Sequence, residues 1–167
     1  MNKEHQEHTI PPVFDENSRI LILGSFPSVK SRETGFFYGH PRNRFWKVLS
    51  AVFGCETPET VPEKKEFLLD NGVAVWDVID SCEIHGSSDS SIRDAVPSNI
   101  PMILEKSDIK CIFLNGKTAE KYYNRYLKKK TDCPAVTLPS TSPANAAWSL
   151  ERLTDEWKKA ITQTMEG

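Results

Sequence analysis

The amino-acid sequence predicts an α/β fold, a three-layer α/β/α sandwich around a central four-stranded parallel sheet. Short apolar runs alternate along the chain with longer segments whose apolar residues recur at helical spacing. Strands that alternate with helices are joined by right-handed crossovers, and the resulting sheet is parallel and covered on both faces. The chain has 167 residues and shows no internal repeat or linker, so we expect residues 1–167 to form a single domain.

Four short apolar runs are the predicted strands. Residues 19–24, Arg-Ile-Leu-Ile-Leu-Gly, end in a glycine and are typical of a buried strand in a parallel sheet. The other three runs are also short and apolar, and they cover residues 73–78, 109–115 and 135–138.

Five segments with a helical recurrence of apolar residues are the predicted helices. In the segment at residues 62–70 a proline stands near the start, and Gly72 is placed to cap the end. The five predicted helices cover residues 43–53, 62–70, 99–106, 117–130 and 145–165.

Two stretches show neither pattern. Residues 80–97 are rich in serine and are predicted to be an irregular surface loop. Residues 1–12 are polar, contain two histidines and lack the apolar core of a signal peptide, so we expect a flexible start. No apolar run approaches the roughly 18 residues of a membrane span. These features favour a cytoplasmic monomer without a membrane partner.

The four cysteines give no indication of a metal centre. Cys55, Cys82, Cys111 and Cys133 are widely separated, whereas metal and iron–sulfur sites have closely spaced ligands. Cys111 lies within an apolar run, where a reduced cysteine behaves as a small hydrophobic residue. We therefore expect no metal and no cofactor.

Basic residues are concentrated in two segments although the net charge is −2. Residues 30–47 contain five basic residues and one acid, and residues 117–130 contain six basic residues and one acid. Such asymmetry builds a positive face, as phosphate binding requires. For the second segment, a solvated helix face is an equally good interpretation.

Three segments that follow predicted strands have the composition of binding loops. They cover residues 24–28, 115–116 and 139–143, and they combine small residues, prolines and an amide. Ligands of open α/β sheets bind beyond the carboxyl ends of the strands. The sequence therefore predicts a site where these three loops meet.

The same segments resemble the uracil-DNA glycosylase superfamily, most closely its hypoxanthine-DNA glycosylase branch. The resemblance rests on Gly-Ser-Phe-Pro-Ser at residues 24–28, Gly-His-Pro-Arg-Asn-Arg-Phe-Trp at 39–46 and Leu-Pro-Ser-Thr-Ser-Pro-Ala-Asn at 138–145. It extends from about residue 19 to the final helix. The resemblance implies a monofunctional DNA glycosylase that flips a deaminated base, hypoxanthine or uracil, out of the DNA and hydrolyses its N-glycosidic bond in base excision repair.

The resemblance also implies roles for individual residues. The catalytic residues are expected to be Asn43 and, in the first loop, Ser25. The flipped base is expected to contact Phe26, Phe37, Tyr38 and Asn115, with Phe37 or Tyr38 stacking on its face. Double- or single-stranded DNA is the expected partner, held by Ser28, Arg42, Ser140, Thr141, Ser142, Pro143 and Asn145.

The residue types suit this chemistry, and each has a simpler alternative. The amide oxygen of Asn43 can orient a water molecule, but asparagine is also a common helix cap. Asn115 offers one donor and one acceptor, which match the lactam edge of hypoxanthine or uracil, but asparagine also suits a strand-to-helix turn. Two departures from the family pattern are Ser25–Phe26 where many relatives have Asp or Asn, and Ser140 where many have His. The alternative function is a catalytically inactive nucleotide- or nucleic-acid-binding α/β module.

Overall fold

The central element of the protein is a four-stranded parallel sheet. The computed structural model describes residues 4–166. The sheet has the order β3-β2-β6-β7, and its flanking helices confirm the predicted α/β/α sandwich. Every residue of β2 and β3 is buried, because helices cover both faces of the central strands. The strands are β2 (Ile20–Gly24), β3 (Val73–Asp77), β6 (Cys111–Asn115) and β7 (Ala135–Leu138).

Six α-helices accompany the sheet within residues 4–166. The helix α3 begins with a complete capping box in which Thr60 and Glu63 exchange hydrogen bonds. A short helix, α1, was not predicted; the Ser28 side chain caps it by accepting a hydrogen bond from the Ser31 amide. The helices are α1 (Val29–Thr34), α2 (Phe45–Phe53), α3 (Val61–Asp70), α4 (Ile100–Lys106), α5 (Lys117–Tyr126) and α6 (Leu150–Glu166).

Two predicted helices are shorter than expected. The last helix begins at Leu150 rather than at residue 145, because the preceding loop is held by side-chain bonds from Arg44. The helix after β6 ends at Tyr126, and Lys128–Lys130 form a separate 3₁₀ turn. A longer helix would place Lys129 one turn after Arg125, and like charges four residues apart destabilise a helix.

A second sheet replaces the irregular loop expected at residues 80–97. This sheet is antiparallel, with the order β1-β4-β5, and consists of β1 (Glu4–Glu7), β4 (Ile79–Ile84) and β5 (Arg93–Pro97). The expectation of a loop was wrong because register shifts in the β4–β5 pairing interrupt the alternation of buried and exposed residues. Cys82 and Ile84 still point inward, and both are buried.

The N-terminal segment is packed against the domain, which corrects its description as a flexible start. The β1 strand pairs with β4, and Ile10 is 2% exposed. The His8 imidazole is buried and lies 2.8 Å from the Asp77 carboxylate at the end of β3. Residues 1–3 of the predicted flexible segment lie outside the described residues.

Replacement of His8 by alanine is expected to lower the free energy of unfolding by about 3 kcal/mol, because the buried Asp77 carboxylate loses its partner. The matched control is His5→Ala, since His5 lies in β1 with an exposed side chain; we expect a change within about 0.5 kcal/mol. Urea denaturation followed by tryptophan fluorescence measures both. Equal stabilities of the two variants would contradict the packing of His8.

Candidate active site

A cavity of about 340 Å³ lies at the carboxyl ends of the parallel strands. The three loops selected from the sequence meet there, because parallel strands end at the same edge of the sheet. Eleven of the thirteen residues assigned to the site line this cavity: Ser25, Phe26, Ser28, Phe37, Tyr38, Asn43, Asn115, Ser140, Thr141, Ser142 and Pro143.

The other two assigned residues lie beside the cavity. Arg42 is exposed, and its backbone amide donates to the His40 imidazole, which itself lines the cavity. Asn145 lies within the loop after β7, where its Nδ2 donates to the Ser140 carbonyl at 3.0 Å. Arg42 is thus free to meet a ligand at the rim, whereas Asn145 shapes the loop.

A chain of hydrogen bonds links Asn115, Thr141 and Asn43. Asn115 Nδ2 donates to Thr141 Oγ1 at 3.1 Å, and Thr141 Oγ1 donates to Asn43 Oδ1 at 2.8 Å. The Thr141 backbone amide also donates to Asn115 Oδ1 at 3.1 Å. Thr141 is fully buried, so these bonds are shielded from water. The two asparagines are therefore held rigidly at the cavity wall.

The orientation of the Asn43 amide follows from its partners. Asn43 Oδ1 also accepts a hydrogen bond from the Phe45 backbone amide at 2.9 Å. An N–H group can only donate, so the oxygen of Asn43 must face Phe45. With the oxygen bound to Phe45 and Thr141, the group that Asn43 offers to a ligand is its Nδ2 amine. Asn43 thus caps the start of α2 and lines the cavity as well.

Arg44 fixes the loop after β7 against the start of α2. Its guanidinium donates to the carbonyls of Ser142 at 2.8 Å and Asn145 at 3.0 Å, and also to the Trp148 carbonyl. Arginine suits this task because its planar group carries five donors in a fixed geometry. The sequence placed Arg44 in a basic cluster, but the structure gives it a bracing role within the protein.

The aromatic residues predicted to stack on a base divide into two kinds. Phe37 is 2% exposed and packs against Phe36, with ring centroids 5.4 Å apart. Tyr38 is half-buried and stacks on Phe45, with centroids 3.9 Å apart and ring planes 16° from parallel. Tyr38 has a φ of +52°, a conformation that is costly for a residue with a side chain and is often found at functional sites.

Two carboxylates line the cavity, and sequence reasoning missed both. Asp77 is 4% exposed and ends β3, so it occupies the same kind of position as Gly24 and Asn115. The rule that selected the loops after the other strands would have selected Asp77 as well. Asp89 escaped notice because it lies in the serine-rich stretch that was taken for a loop.

The surroundings of Asp89 make its carboxyl harder to ionise than an exposed one. Desolvation raises the pKa of this carboxyl above its usual range, and the nearby Asp77 charge adds to the rise. Hydrogen bonds from Ser25 and Thr118 oppose the rise, and Ser25 Oγ lies 3.2 Å from Asp89 Oδ1. A carboxyl with a raised pKa is suited to exchange a proton with a bound ligand or water.

Gly24 allows Asp77 and Tyr38 to approach each other. A Cβ atom on Gly24 would lie 2.4 Å from Asp77 Oδ1 and 2.9 Å from the Tyr38 hydroxyl. Burial first, and then the Asp77 charge, raise the pKa of Tyr38, with the Asn115 side chain opposing. The Tyr38 hydroxyl is therefore a neutral hydrogen-bond donor beside a carboxylate.

The two basic segments differ in their position relative to the cavity. Lys30, Arg42 and Lys47 are exposed on the segments that border it. The crossover helix α5 begins directly after the carboxyl end of β6 and runs back along the sheet, so Lys128–Lys130 lie at the opposite edge. Lys128 there borders a separate depression beside Ala135, at the start of β7.

Two further features bear on the chemistry available. Within residues 4–166, no three His, Cys, Asp or Glu side chains converge as metal ligands would. None of the described helices has the length and apolar character required to cross a membrane. The cavity wall offers amides, hydroxyls, carboxylates, an imidazole and aromatic rings.

Comparison with known proteins places these features in a family. The model of the uracil DNA glycosylase superfamily matches residues 11–166. A Methanosarcina acetivorans protein named hypoxanthine DNA glycosylase is 35% identical over 150 residues, which cover 89% of this chain and 93% of that protein. A Methanosarcina barkeri protein of the same name is 33% identical over 114 residues, covering 67% and 72%. The solution structure of a candidate uracil DNA glycosylase from Methanosarcina acetivorans superposes with a TM-score of 0.82 at 30% identity, covering 97% of this chain and 99% of that one.

Proposed function

The chain belongs to the uracil DNA glycosylase superfamily and is a DNA glycosylase, and we propose that its substrates are deaminated bases, with hypoxanthine foremost. In the proposed reaction a water molecule adds to C1′ of the deoxyribose while the N-glycosidic bond breaks. The base leaves with one proton of the water, and the DNA retains an abasic site. The names of the two Methanosarcina relatives support hypoxanthine as the first substrate to test.

The observation that carries this proposal is the composition of the cavity wall. The cavity combines a rigid amide donor, Asn43, a carboxylate acceptor, Asp89, and a tyrosine ring that is already stacked on one face. Hydrolysis of a glycosidic bond needs charge stabilisation on the leaving base and a proton acceptor for the water. The cavity therefore contains both kinds of group that the reaction requires.

Asn43 is proposed to act through its Nδ2 amine rather than through its oxygen. The oxygen is bound by Phe45 and Thr141, so the amine is the part available to the substrate. A fixed donor at the leaving base stabilises the negative charge that develops as the bond breaks, and it needs no reorganisation to do so. The hydrogen-bond chain through Thr141 supplies that fixation.

Ser25 is proposed to act together with Asp89. The first loop has no acidic residue of its own, but Ser25 Oγ donates to Asp89 Oδ1 and thereby brings a carboxylate to this loop. The raised pKa of Asp89 makes it a better proton acceptor than an ordinary surface carboxylate. This pair brings a carboxylate to the loop in which Ser25 and Phe26 stand where many relatives have Asp or Asn.

The loops around the cavity are proposed to hold the DNA backbone. Ser28 and Ser140 to Ser142 offer hydroxyls and backbone amides at the rim, and Arg42 adds an exposed positive charge. Lys128–Lys130 are left out of this surface because they lie at the other edge of the sheet.

The experiment that tests the function uses duplex oligonucleotides that each contain one hypoxanthine, uracil or xanthine. We expect free hypoxanthine and an intact abasic site, detected after alkaline strand cleavage, with no change on adding EDTA. Borohydride is not expected to trap a covalent adduct, because the described residues that line the cavity include no lysine to form a Schiff base. DNA binding without release of any base would favour the inactive binding module instead.

The variant Asn43→Asp separates capping from catalysis. A carboxylate accepts hydrogen bonds from Phe45 and Thr141 as the amide does, so stability is expected to stay within about 0.5 kcal/mol. The donor is lost and a negative charge faces the leaving base, so the single-turnover rate is expected to fall about 100-fold or more. Asn124→Asp, at an exposed position on α5, is the matched control. An unchanged or faster Asn43→Asp enzyme would show that Asn43 does not act as a donor.

Removal of Arg42 is expected to weaken DNA binding in a salt-dependent way. Arg42→Ala removes one phosphate contact, which lowers the slope of log K against log salt concentration by about one. Lys129→Ala serves as the control, because its charge lies at the opposite edge of the sheet, and its slope should equal that of the wild type. Fluorescence anisotropy of a labelled duplex measures both slopes. A reduced slope for Lys129→Ala alone would place the DNA on the other side of the domain.

A further inference from the structure

Two polar groups, the Asp77 carboxylate and the Tyr38 hydroxyl, lie close to each other beside Gly24 at the floor of the cavity. Asp77 Oδ1 and the Tyr38 hydroxyl both lie within 3 Å of the position that a Cβ atom on Gly24 would take, at 2.4 Å and 2.9 Å. One group is an acceptor and the other is a donor. Both residues line the cavity.

The buried Tyr38 hydroxyl makes no hydrogen bond of normal geometry with any of residues 4–166, although the Asn115 side chain lies close enough to lower its pKa. An unpaired buried hydroxyl is costly, and the positive φ of Tyr38 adds to that cost. A ligand that forms a hydrogen bond with this hydroxyl would remove the cost of leaving it unpaired. Its proton can donate to an acceptor atom of the ligand, and its oxygen can also accept a hydrogen bond.

Asp77 presents only one of its two oxygens to the cavity floor. Asp77 Oδ2 lies 2.8 Å from His8 Nε2, and the Ile10 backbone amide donates to His8 Nδ1 at 3.2 Å. The bond from Ile10 assigns the proton of the neutral imidazole to Nε2, which therefore donates to Asp77. The remaining oxygen, Oδ1, is fixed as an acceptor beside Gly24.

We propose that Asp77 and Tyr38 recognise the lactam edge of the flipped base, and that His8 is the positioning residue that sets this specificity. This inference rests on the proposed function. Hypoxanthine offers N1–H and O6, and uracil offers N3–H and O4, so the ring N–H meets Asp77 Oδ1 and the carbonyl oxygen meets the Tyr38 hydroxyl. Adenine and cytosine have a ring nitrogen without a proton at the corresponding position, so Asp77 Oδ1 would meet another acceptor and stay unpaired.

Asn115 is held against Thr141 at the same end of the cavity. The sequence suggested that the Asn115 amide meets the base edge; its oxygen and its amine each make one bond to Thr141, which leaves one lone pair and one N–H for a ligand. Asn115 also holds Thr141, and through it Asn43, in place.

The decisive variant is Asp77→Asn. His8 Nε2–H would require the new amide to turn its oxygen toward His8, so its amine would face the base where an acceptor is needed. We expect hypoxanthine release to fall about 10- to 100-fold relative to the wild type. In the double variant His8→Phe/Asp77→Asn the amide is free to rotate, and its oxygen can meet the ring N–H again. We expect the double variant to regain most of the lost rate.

Phenylalanine fits at position 8 because His8 lies among aromatic rings, 6.0 Å between centroids from Phe26, Phe37 and Trp76. The second variant, Tyr38→Phe, removes the donor alone and is expected to lower hypoxanthine release about 10-fold. Tyr126→Phe on α5 is its control. Circular dichroism and thermal melting confirm that each variant is folded, and Tyr38→Phe decides the question if Asp77→Asn is not.

The outcomes separate this inference from the proposed function. A wild type that releases no base from any duplex overturns both. A wild type that releases hypoxanthine, together with unchanged rates in Asp77→Asn and Tyr38→Phe, overturns the lactam assignment alone. A double variant no faster than Asp77→Asn also overturns it, because Asp77 would then be needed only for packing. Recovery in the double variant supports the assignment, since a second change in a buried pair does not otherwise restore activity.

Discussion

The structure depends on Thr141, a fully buried residue that joins three segments distant in the sequence. Its hydroxyl and backbone amide bond to Asn43 and Asn115, and its backbone carbonyl accepts a hydrogen bond from the Arg44 amide at 3.1 Å. The start of α2, the end of β6 and the loop after β7 therefore hold one another in place. Each bond lies inside the protein, where a missing partner is costly, so the network tolerates one arrangement.

The central sheet could be predicted because its information is local. Three of its four strands, β2, β3 and β6, are continuous apolar runs ended by a polar residue or glycine, and burial on both faces requires that pattern. The antiparallel sheet could not, because its bulges break the alternation that identifies an edge strand. The site was partly predictable for the same reason. Residues that follow strands were identified, whereas the bond between His8 and Asp77 joins positions 69 apart in the chain and has no sequence pattern.

The basic residues show how charge alone misleads. Arg32 and Arg44 belong to the first basic cluster, but their guanidinium groups bond to backbone carbonyls of neighbouring loops. A count of positive charges cannot separate an arginine that braces a loop from one that faces a phosphate, because both uses require several donors on a planar group. Position relative to the cavity makes that separation.

The strand at the beginning of the chain has a consequence for the order in which the molecule assembles. During synthesis, residues 4–8 emerge well before their partners. Strand β1 pairs with β4 and His8 bonds to Asp77, and both partners follow about seventy residues later. Such long-range closure is slow compared with local helix formation. The cavity floor is therefore completed late in folding. Residues 4–8 must stay unpaired until β3, the strand that pairs with β2 in the central sheet, has formed. A group attached to residues 4–8 that delays or obstructs their docking therefore affects the floor of the cavity, although most residues of the cavity lie far away in the sequence.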